Sequence, residues 1–289
     1  MLAGPRAGGA IYNALVSPTE RLRVAALQLN SQDDVAANLA ECRRQVLGAA
    51  RLGATLVVLP ENFAYLGPET GKRAIAERIG DLDAPIQRML SLLAREAAVT
   101  LVAGGMPEAS GDAARPFNTC AVLAPDGKLV ASYRKLHLFD VELPDGTLLR
   151  ESEATSAGSE PVVVAVDGFC VGLSICYDLR FPELYRKLVD AGAEILLVPS
   201  AFTLLTGKDH WHVLLRARAI ESQAYVVAAA QWGKHPRARA SYGHALVVDA
   251  WGVVVSECSD GIGFASAEVD HALIERVRRT LPSLRHRRL

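Results

Sequence analysis

Three residue types that can act together in nucleophilic catalysis stand at the ends of apolar runs. Glu61 follows Leu56-Val-Val-Leu-Pro60, Lys135 lies in Tyr133-Arg-Lys-Leu-His137, and Cys176 follows Val171-Gly-Leu-Ser-Ile175. They supply a carboxylate, a cation and a thiol. Attack of sulfur on a carbonyl needs a thiolate, a group that takes and returns its proton, and positive charge near the developing oxyanion. Each residue alone has a plainer explanation. A glutamate after a strand or a lysine in a charged loop is usually solvated, and an unpaired cysteine is among the most buried residue types. It is the conjunction that points to chemistry.

The elements that must position these groups can be read from hydropathy and turn residues. Residues 161–186 predict a strand over Pro161–Val166, an Asp167-Gly168 turn, a second strand over Phe169–Ile175 and a helix from about Pro182. Asp-Gly between two apolar runs is a strong hairpin signal. Cys176 then sits where the second strand stops, and a helix N-terminus nearby would favour its thiolate. Earlier, Arg21–Asn30 reads as a strand. Ser31 and Asp33 offer N-caps to a helix whose stripe is Val35, Leu39, Cys42, Val46 and Ala49, closed by Gly53. Ala54–Leu59 is continuously apolar, as in a strand covered on both faces. A second helix starts at Asp83-Ala-Pro85, and a strand over Val99–Ala103 leads into Gly104-Gly105. Pro125-Asp126-Gly127 joins the strands Asn118–Ala124 and Lys128–Arg134. Residues 135–160 read as a long polar loop, a length that is usually functional.

After the Cys176 unit come a buried strand over Ile195–Pro199, a helix from about Asp209 to Gln223, the strands Tyr225–Ala230, His244–Val248, Val253–Ser256 and Phe264–Val269, and a last helix capped by Asp270. Strands alternate with helices early and gather into hairpins later. This pattern predicts a mixed sheet, or two sheets face to face, with helices outside.

The totals narrow the function classes. Lys+Arg of 31 against Asp+Glu of 32 leaves no general charge to attract nucleic acid or an anionic membrane. The run Arg285-His-Arg-Arg288 is too short for a basic patch. Five cysteines are scattered, the nearest two six residues apart, so neither a disulfide framework nor a C-x-x-C motif is expected. A reducing, cytoplasmic compartment follows. No run of 18 apolar residues predicts a membrane helix. Residues 1–20, rich in Gly, Ala and Pro, read as a flexible extension before a single domain over 21–289. Gly172-Leu-Ser174-Ile-Cys176 departs from G-x-S-x-G at its last position, which excludes a serine hydrolase elbow. No zinc site is expected, because His210 and His212 are two apart on a predicted helix and do not share a face.

Three stretches together carry a resemblance. Leu59-Pro-Glu-Asn62, Tyr133-Arg-Lys-Leu-His137 and Ser174-Ile-Cys-Tyr-Asp-Leu-Arg-Phe-Pro-Glu183 resemble the three catalytic motifs of the nitrilase (carbon–nitrogen hydrolase) superfamily, Nit branch, in the right order. The resemblance runs from about Leu22 to Arg288. It implies a four-layer αββα sandwich that forms a homodimer or homotetramer, a small-molecule amide substrate, and a Glu-Lys-Cys triad with no metal and no organic cofactor. Glu61 resembles the general base and acid, Lys135 the oxyanion-side cation, Cys176 the nucleophile. The backbone N–H of Tyr177 is implied as a second oxyanion donor. A further family glutamate that orders the lysine best matches Glu151, with Glu142 as a rival. Ser156-Ala-Gly158 departs from the family, whose members often carry Pro before this Gly.

Later stretches sharpen the match. Phe202-Thr203, Gly207–Trp211, Leu214–Glu221, Ala228–Gln231 and Ala240–His244 resemble the subgroup of Nit-branch amidases that act on deaminated glutathione. An ω-amidase acting on 2-oxo dicarboxylate monoamides is the alternative within the family, and a catalytically silent binding protein on the same scaffold is the alternative outside it. A substrate with a carboxylate at each end needs fixed cations. Arg180, near the start of the helix after Cys176, could grip the 2-oxo acid end in bidentate fashion, or could be tied to Glu183 or Asp178 instead. Tyr177, Phe202 and Thr203 complete the expected substrate site, and His235, Arg237 and Arg239 could approach the other carboxylate.

Overall fold

In the computed structural model, which describes residues 20–142, 146, 148–237 and 239–288, two β-sheets lie face to face between helices. The expected extension lies outside the described residues but for Glu20. The first sheet is built around Arg21–Leu29, which pairs in parallel with Leu56–Val58 and antiparallel with Gly263–Asp270. It continues through Thr100–Glu108, Phe117–Leu123 and Leu129–Arg134 on one side, and Ala230–Lys234 and Ala240–Tyr242 on the other. The second sheet orders Val254–Glu257, Leu246–Val248, Tyr225–Ala228, Ile195–Leu197, Phe169–Leu173 and Val163–Val166.

The period of two along each strand divides the core. Val24, Ala26, Leu56, Val58 and Val102 face the second sheet and join Val171, Leu173 and Leu197 in one cluster. Their neighbours Ala25, Leu27, Val57, Leu59 and Leu101 face outward, against Cys42, Val46 and Ala49 of the helix Val35–Arg51 and Leu90 and Leu93 of the helix Pro85–Ala97. On the far side, Leu184 and Leu188 of Pro182–Asp190 and Trp211 and Leu215 of Leu204–Ser222 cover the second sheet. The order is helix, sheet, sheet, helix, the expected αββα sandwich.

Local chemistry explains most boundaries. Asp34, not Ser31 or Asp33, caps the first helix through the Ala37 N–H at 3.0 Å. The Asp167-Gly168 turn has φ of +47° and +89°, as a two-residue hairpin needs. Thr100–Glu108 is longer than its apolar run and shifts register between Ala103 and Met106. At that bulge a Cβ on Gly104 would lie 1.9 Å from the Leu59 carbonyl oxygen and 2.3 Å from Pro199 Cβ, so no side chain fits where the sheets approach.

Some expectations change. The loop over 135–160 contains a hairpin, Asp140–Glu142 paired with Leu148–Arg150, and a 3₁₀ turn over Glu151–Glu153. These strands are too short for a period to show in the sequence. The helix expected from Asp209 starts at Leu204, because Leu204, Leu205 and Thr206 read equally well as loop. A short helix, Glu69–Ala74, has no buried face and therefore no hydropathy signal.

Candidate active site

Glu61, Lys135 and Cys176 arrive from different strand ends and meet between the sheets. Glu61 follows Leu56–Val58, Lys135 follows Leu129–Arg134, and Cys176 follows Phe169–Leu173 by a short link. The link is fixed in place: Ser174 Oγ donates to the Leu197 carbonyl at 2.7 Å, and the Cys176 N–H to the Pro199 carbonyl at 2.9 Å. Cys176 itself has φ +48°, a conformation costly for a residue with a Cβ, and it opens a 3₁₀ turn over Cys176–Arg180. Strain at this position presents the sulfur to the site at the end of the sheet.

Lys135 is 2% exposed and lies between two carboxylates. Its Nζ donates to Glu61 Oε1 at 2.9 Å and to Glu151 Oε2 and Oε1 at 2.9 and 3.1 Å. Glu142, the rival to Glu151, is exposed on the Asp140–Glu142 strand. Glu151 is itself fixed by the Phe139 N–H at 2.7 Å. Glu61 is 3% exposed; Oε1 also accepts from Asn118 Nδ2 at 2.9 Å and Oε2 from the Ala201 N–H at 3.0 Å.

These contacts set the protonation states. Burial alone would raise the Glu61 carboxyl, but the Lys135 charge and hydrogen bond more than offset it, and the carboxyl lies below its ordinary value. Burial would likewise discharge Lys135, yet Glu151 and Glu61 hold its pKa well above the ordinary one. The Cys176 thiol is pushed well up, first by burial and then by the Glu61 carboxylate. Two carboxylates already outweigh one ammonium here, so a thiolate would add a second uncompensated buried charge. The thiolate expected from a nearby helix N-terminus is therefore not the resting state. The resting group is a thiol that hydrogen-bonds Glu61.

Asp178, two residues after Cys176, organises the turn. It is fully buried and accepts from the Ile175 N–H at 2.9 Å, Tyr133 Oη at 2.7 Å, and the His137 N–H at 3.0 Å, with His137 Nδ1 at 2.7 Å. It thereby joins the Cys176 turn to the segment that carries Lys135. Among the described residues no acceptor takes the Tyr177 N–H. Asn118 and Asp178 are the residues that sequence reasoning passed over. The signal for Asn118 was a polar residue inside a buried strand; that for Asp178 was an acid beside a proposed nucleophile.

Beside the thiol, where the Ala201 N–H meets Glu61, lies a shallow cleft lined by Phe139, Arg180, Ala201, Phe202, Thr203 and Thr206. Arg180 is half-buried, with its guanidinium 5.2 Å from the centre of the Phe202 ring and Nη1 3.3 Å from His210 Nδ1. Neither Glu183 nor Asp178 pairs with it; among the described residues it has no carboxylate partner. The Tyr177 ring sits edge-on to Phe139 at 4.9 Å. His235, one of three basic residues expected near the second carboxylate, is instead buried between the Ser31 carbonyl and Ser241 Oγ, both at 2.9 Å. Burial lowers its pKa, so it is a neutral tie and not a cation. Arg237 and Arg239 are exposed.

Comparison with known proteins agrees with this architecture. A family model described as carbon–nitrogen hydrolase matches residues 23–279. The chain is 47% identical over 266 residues to the deaminated glutathione amidase of Synechocystis sp., covering 91% of this chain and 97% of that protein. Among solved structures, the Caenorhabditis elegans NitFhit protein superposes with a TM-score of 0.88 at 41% identity over 94% of this chain, which spans 66% of that longer one. Saccharomyces cerevisiae Nit3, a member of the nitrilase superfamily, superposes with a TM-score of 0.84 at 33% identity, over 94% of this chain and 98% of Nit3. With the motifs, the layered fold and a match along nearly the whole length in accord, the chain belongs to the carbon–nitrogen hydrolase family, in its Nit branch.

Proposed function

We propose that the chain is an amidase that hydrolyses deaminated glutathione, the α-keto acid left when glutathione loses its amino group, to 2-oxoglutarate and cysteinylglycine. The observation that carries the reading is the buried Glu61–Lys135 pair, completed by half-buried Glu151, against the Cys176 thiol, at a cleft whose one lining cation, Arg180, has no carboxylate partner among the described residues. The name of the Synechocystis relative supports the substrate.

The chemistry runs through the chain's own groups. Glu61 takes the Cys176 proton as sulfur bonds to the amide carbon. Lys135 Nζ and the Tyr177 N–H hold the oxyanion. Once protonated, Glu61 is neutral and competes less for Lys135, so an ammonium hydrogen turns to the oxyanion as charge appears there. Glu61 then gives its proton to the departing amine nitrogen, the C–N bond breaks, and a thioester remains. Glu61 deprotonates a water that attacks the thioester, and the proton returns to sulfur as the second product leaves. Glu151 holds Lys135 in place throughout.

Arg180 binds the 2-oxo acid carboxylate, aided by Thr203 and the Phe202 ring. The chain acts as a homo-oligomer; the exposed apolar side chains Val213 at 67%, Trp251 at 55% and Leu205 at 52% are candidates for the contact. It works in the cytoplasm, where its five free cysteines stay reduced; among the described residues no helix is long and apolar enough to cross a membrane.

The test is a panel comprising deaminated glutathione, a 2-oxo dicarboxylate monoamide, a neutral amide of similar size, a nitrile and a carbamoyl amino acid, assayed for released amine or ammonia. Deaminated glutathione should give the highest kcat/KM, and Cys176→Ala should abolish turnover with the fold intact. A trapped acyl group should sit on Cys176; finding it on Cys170 or Cys120 would refute the assignment. Arg180→Gln should raise KM for the two keto-acid amides and spare the neutral one. Equal losses on both classes, with a lower melting temperature, would remove Arg180 from the substrate site.

A further inference from the structure

Outside the catalytic site, the fold brings together three potential metal ligands that lie far apart in the chain. His212 is on the helix Leu204–Ser222, His244 follows the strand Ala240–Tyr242, and Glu257 ends the strand Val254–Glu257. His212 Nε2 and His244 Nδ1 each lie 2.8 Å from the same oxygen, Glu257 Oε1. The ligand atoms of all three side chains fall within 4.8 Å of one another. We propose that His212, His244 and Glu257 form a binding site for a divalent transition-metal ion, with Zn²⁺ as the ion they suit.

The donor set fits that chemistry. Two imidazoles and one carboxylate, with a water in the fourth position, make a tetrahedral zinc site, with donors about 2.0–2.2 Å from the ion. Such a sphere puts donor atoms about 3.3 Å apart, within reach of small side-chain rotations from the present spacing. Nitrogen ligands select against Mg²⁺ and Ca²⁺, which prefer all-oxygen sites. Side-chain exposures of 31%, 27% and 33% leave the cluster open to an ion from solvent. To bind the ion, His212 Nε2 and His244 Nδ1 each offer a lone pair, with the ring hydrogen on the other nitrogen.

The site is also held in place. His244 has φ +58°, its carbonyl accepts from Trp211 Nε1 at 2.8 Å, and its ring stacks on Tyr242 at 4.4 Å. Trp211 is fully buried, so the backbone of this ligand is anchored in the core. The same segment supports the cleft: the Tyr242 N–H donates to the Phe202 carbonyl at 2.9 Å, and Ser241 bridges Thr203. An ion here would clamp a helix, a loop and a strand behind the two cleft residues Phe202 and Thr203. His210 and His212 do not share a helix face, but the partners of His212 come from 32 and 45 residues further on in the chain.

The test uses the full chain carrying Cys176→Ser, so that the catalytic thiol cannot ligate metal. Calorimetric titration with ZnCl₂ should give one ion per chain with Kd at or below about 1 µM. The melting temperature should rise with zinc concentration, and Co²⁺ should produce the visible d–d bands of a tetrahedral site. His212→Gln keeps a polar side chain, and His244→Asn keeps a residue that tolerates left-handed backbone. Each should weaken zinc binding by at least about 10-fold. No binding at about 100 µM Zn²⁺, or equal affinity in parent and variants, overturns the site and leaves a hydrogen-bonded triad. Should His244→Asn fail to fold, His212→Gln decides alone.

Discussion

Lys135 carries the electrostatics of the catalytic cluster. It is the one cation in contact with Glu61 and Glu151 among the described residues, and both carboxylates depend on it. Lys135→Ala should lower kcat by at least about 10²-fold, the usual loss for one oxyanion donor. Lys135→Arg should restore little, because a planar fork does not replace a compact ammonium between two carboxylates. Steady-state kinetics of both variants decide this; near-normal kcat in Lys135→Ala would end its role. The same ammonium predicts the pH profile. Glu61 is depressed in the folded protein, so it remains a base as pH falls past the ordinary glutamate value of 4.5. By the same sign, the stability it contributes is fully present above 4.5 and is lost as pH falls through the lower folded-state value. The acid limb of kcat/KM should therefore lie below 4.5. A limb near 6 to 7, as for a glutamate raised by burial, would show that desolvation wins over Lys135.

At the scale of elements, the site is a junction of strand ends held by buried polar ties. Asp178 is the strongest of these. Its two oxygens satisfy the Ile175 N–H, the His137 N–H and the Tyr133 hydroxyl; burial first, and then the Asp178 charge, push the Tyr133 phenol far up. Asp178→Ala would strand these buried donors. The expected cost is about 3 kcal/mol, from the penalty of unmet hydrogen bonds to a charged group. It should also lower kcat, because the turn that aims Cys176 and the Tyr177 N–H loses its anchor. Chemical denaturation and kinetics should change together. A stable variant with full activity would mean that the strained turn holds itself.

At the scale of the whole molecule, the site exists because the two sheets approach closely at one end. Gly104 marks that approach, with Leu59 O and Pro199 Cβ on the two sides of the space a side chain would take. Leu59 leads to Glu61, and Pro199 accepts the Cys176 N–H. Gly104→Ala should therefore separate Glu61 from Cys176 as well as strain the core. We expect a marked fall in melting temperature, by the mechanism of overpacking at about 1–3 kcal/mol or more, and a loss of kcat larger than the stability loss explains at the assay temperature. Gly111→Ala, where a Cβ meets nothing within 4 Å, is the control and should behave as the parent.

Much of this was legible in the chain itself. The apolar periods, the Asp167-Gly168 turn and the Asp270 cap are local signals, and local signals survive folding; they predicted a mixed sheet or two facing sheets and the strand ends that bear Glu61, Lys135 and Cys176, while the αββα sandwich was legible only through resemblance. Glu151 was legible only through resemblance, because a glutamate in a polar stretch has no distinguishing pattern of its own. What the sequence could not decide was set by contacts between distant segments. The resting thiol is one case, since it follows from burial and from the carboxylates of Glu61 and half-buried Glu151 around one ammonium, and not from the helix that begins nearby. His235 is another: the chain shows a basic stretch, and only the packing of Ser31 and Ser241 around the ring makes it neutral. Arg180 read equally well as a salt bridge or a substrate contact, and tertiary structure turned it from Asp178 and Glu183 toward Phe202 and the cleft. Asp178 was committed to the Cys176 turn by its backbone and phenol donors, which left the guanidinium without an acid to hold.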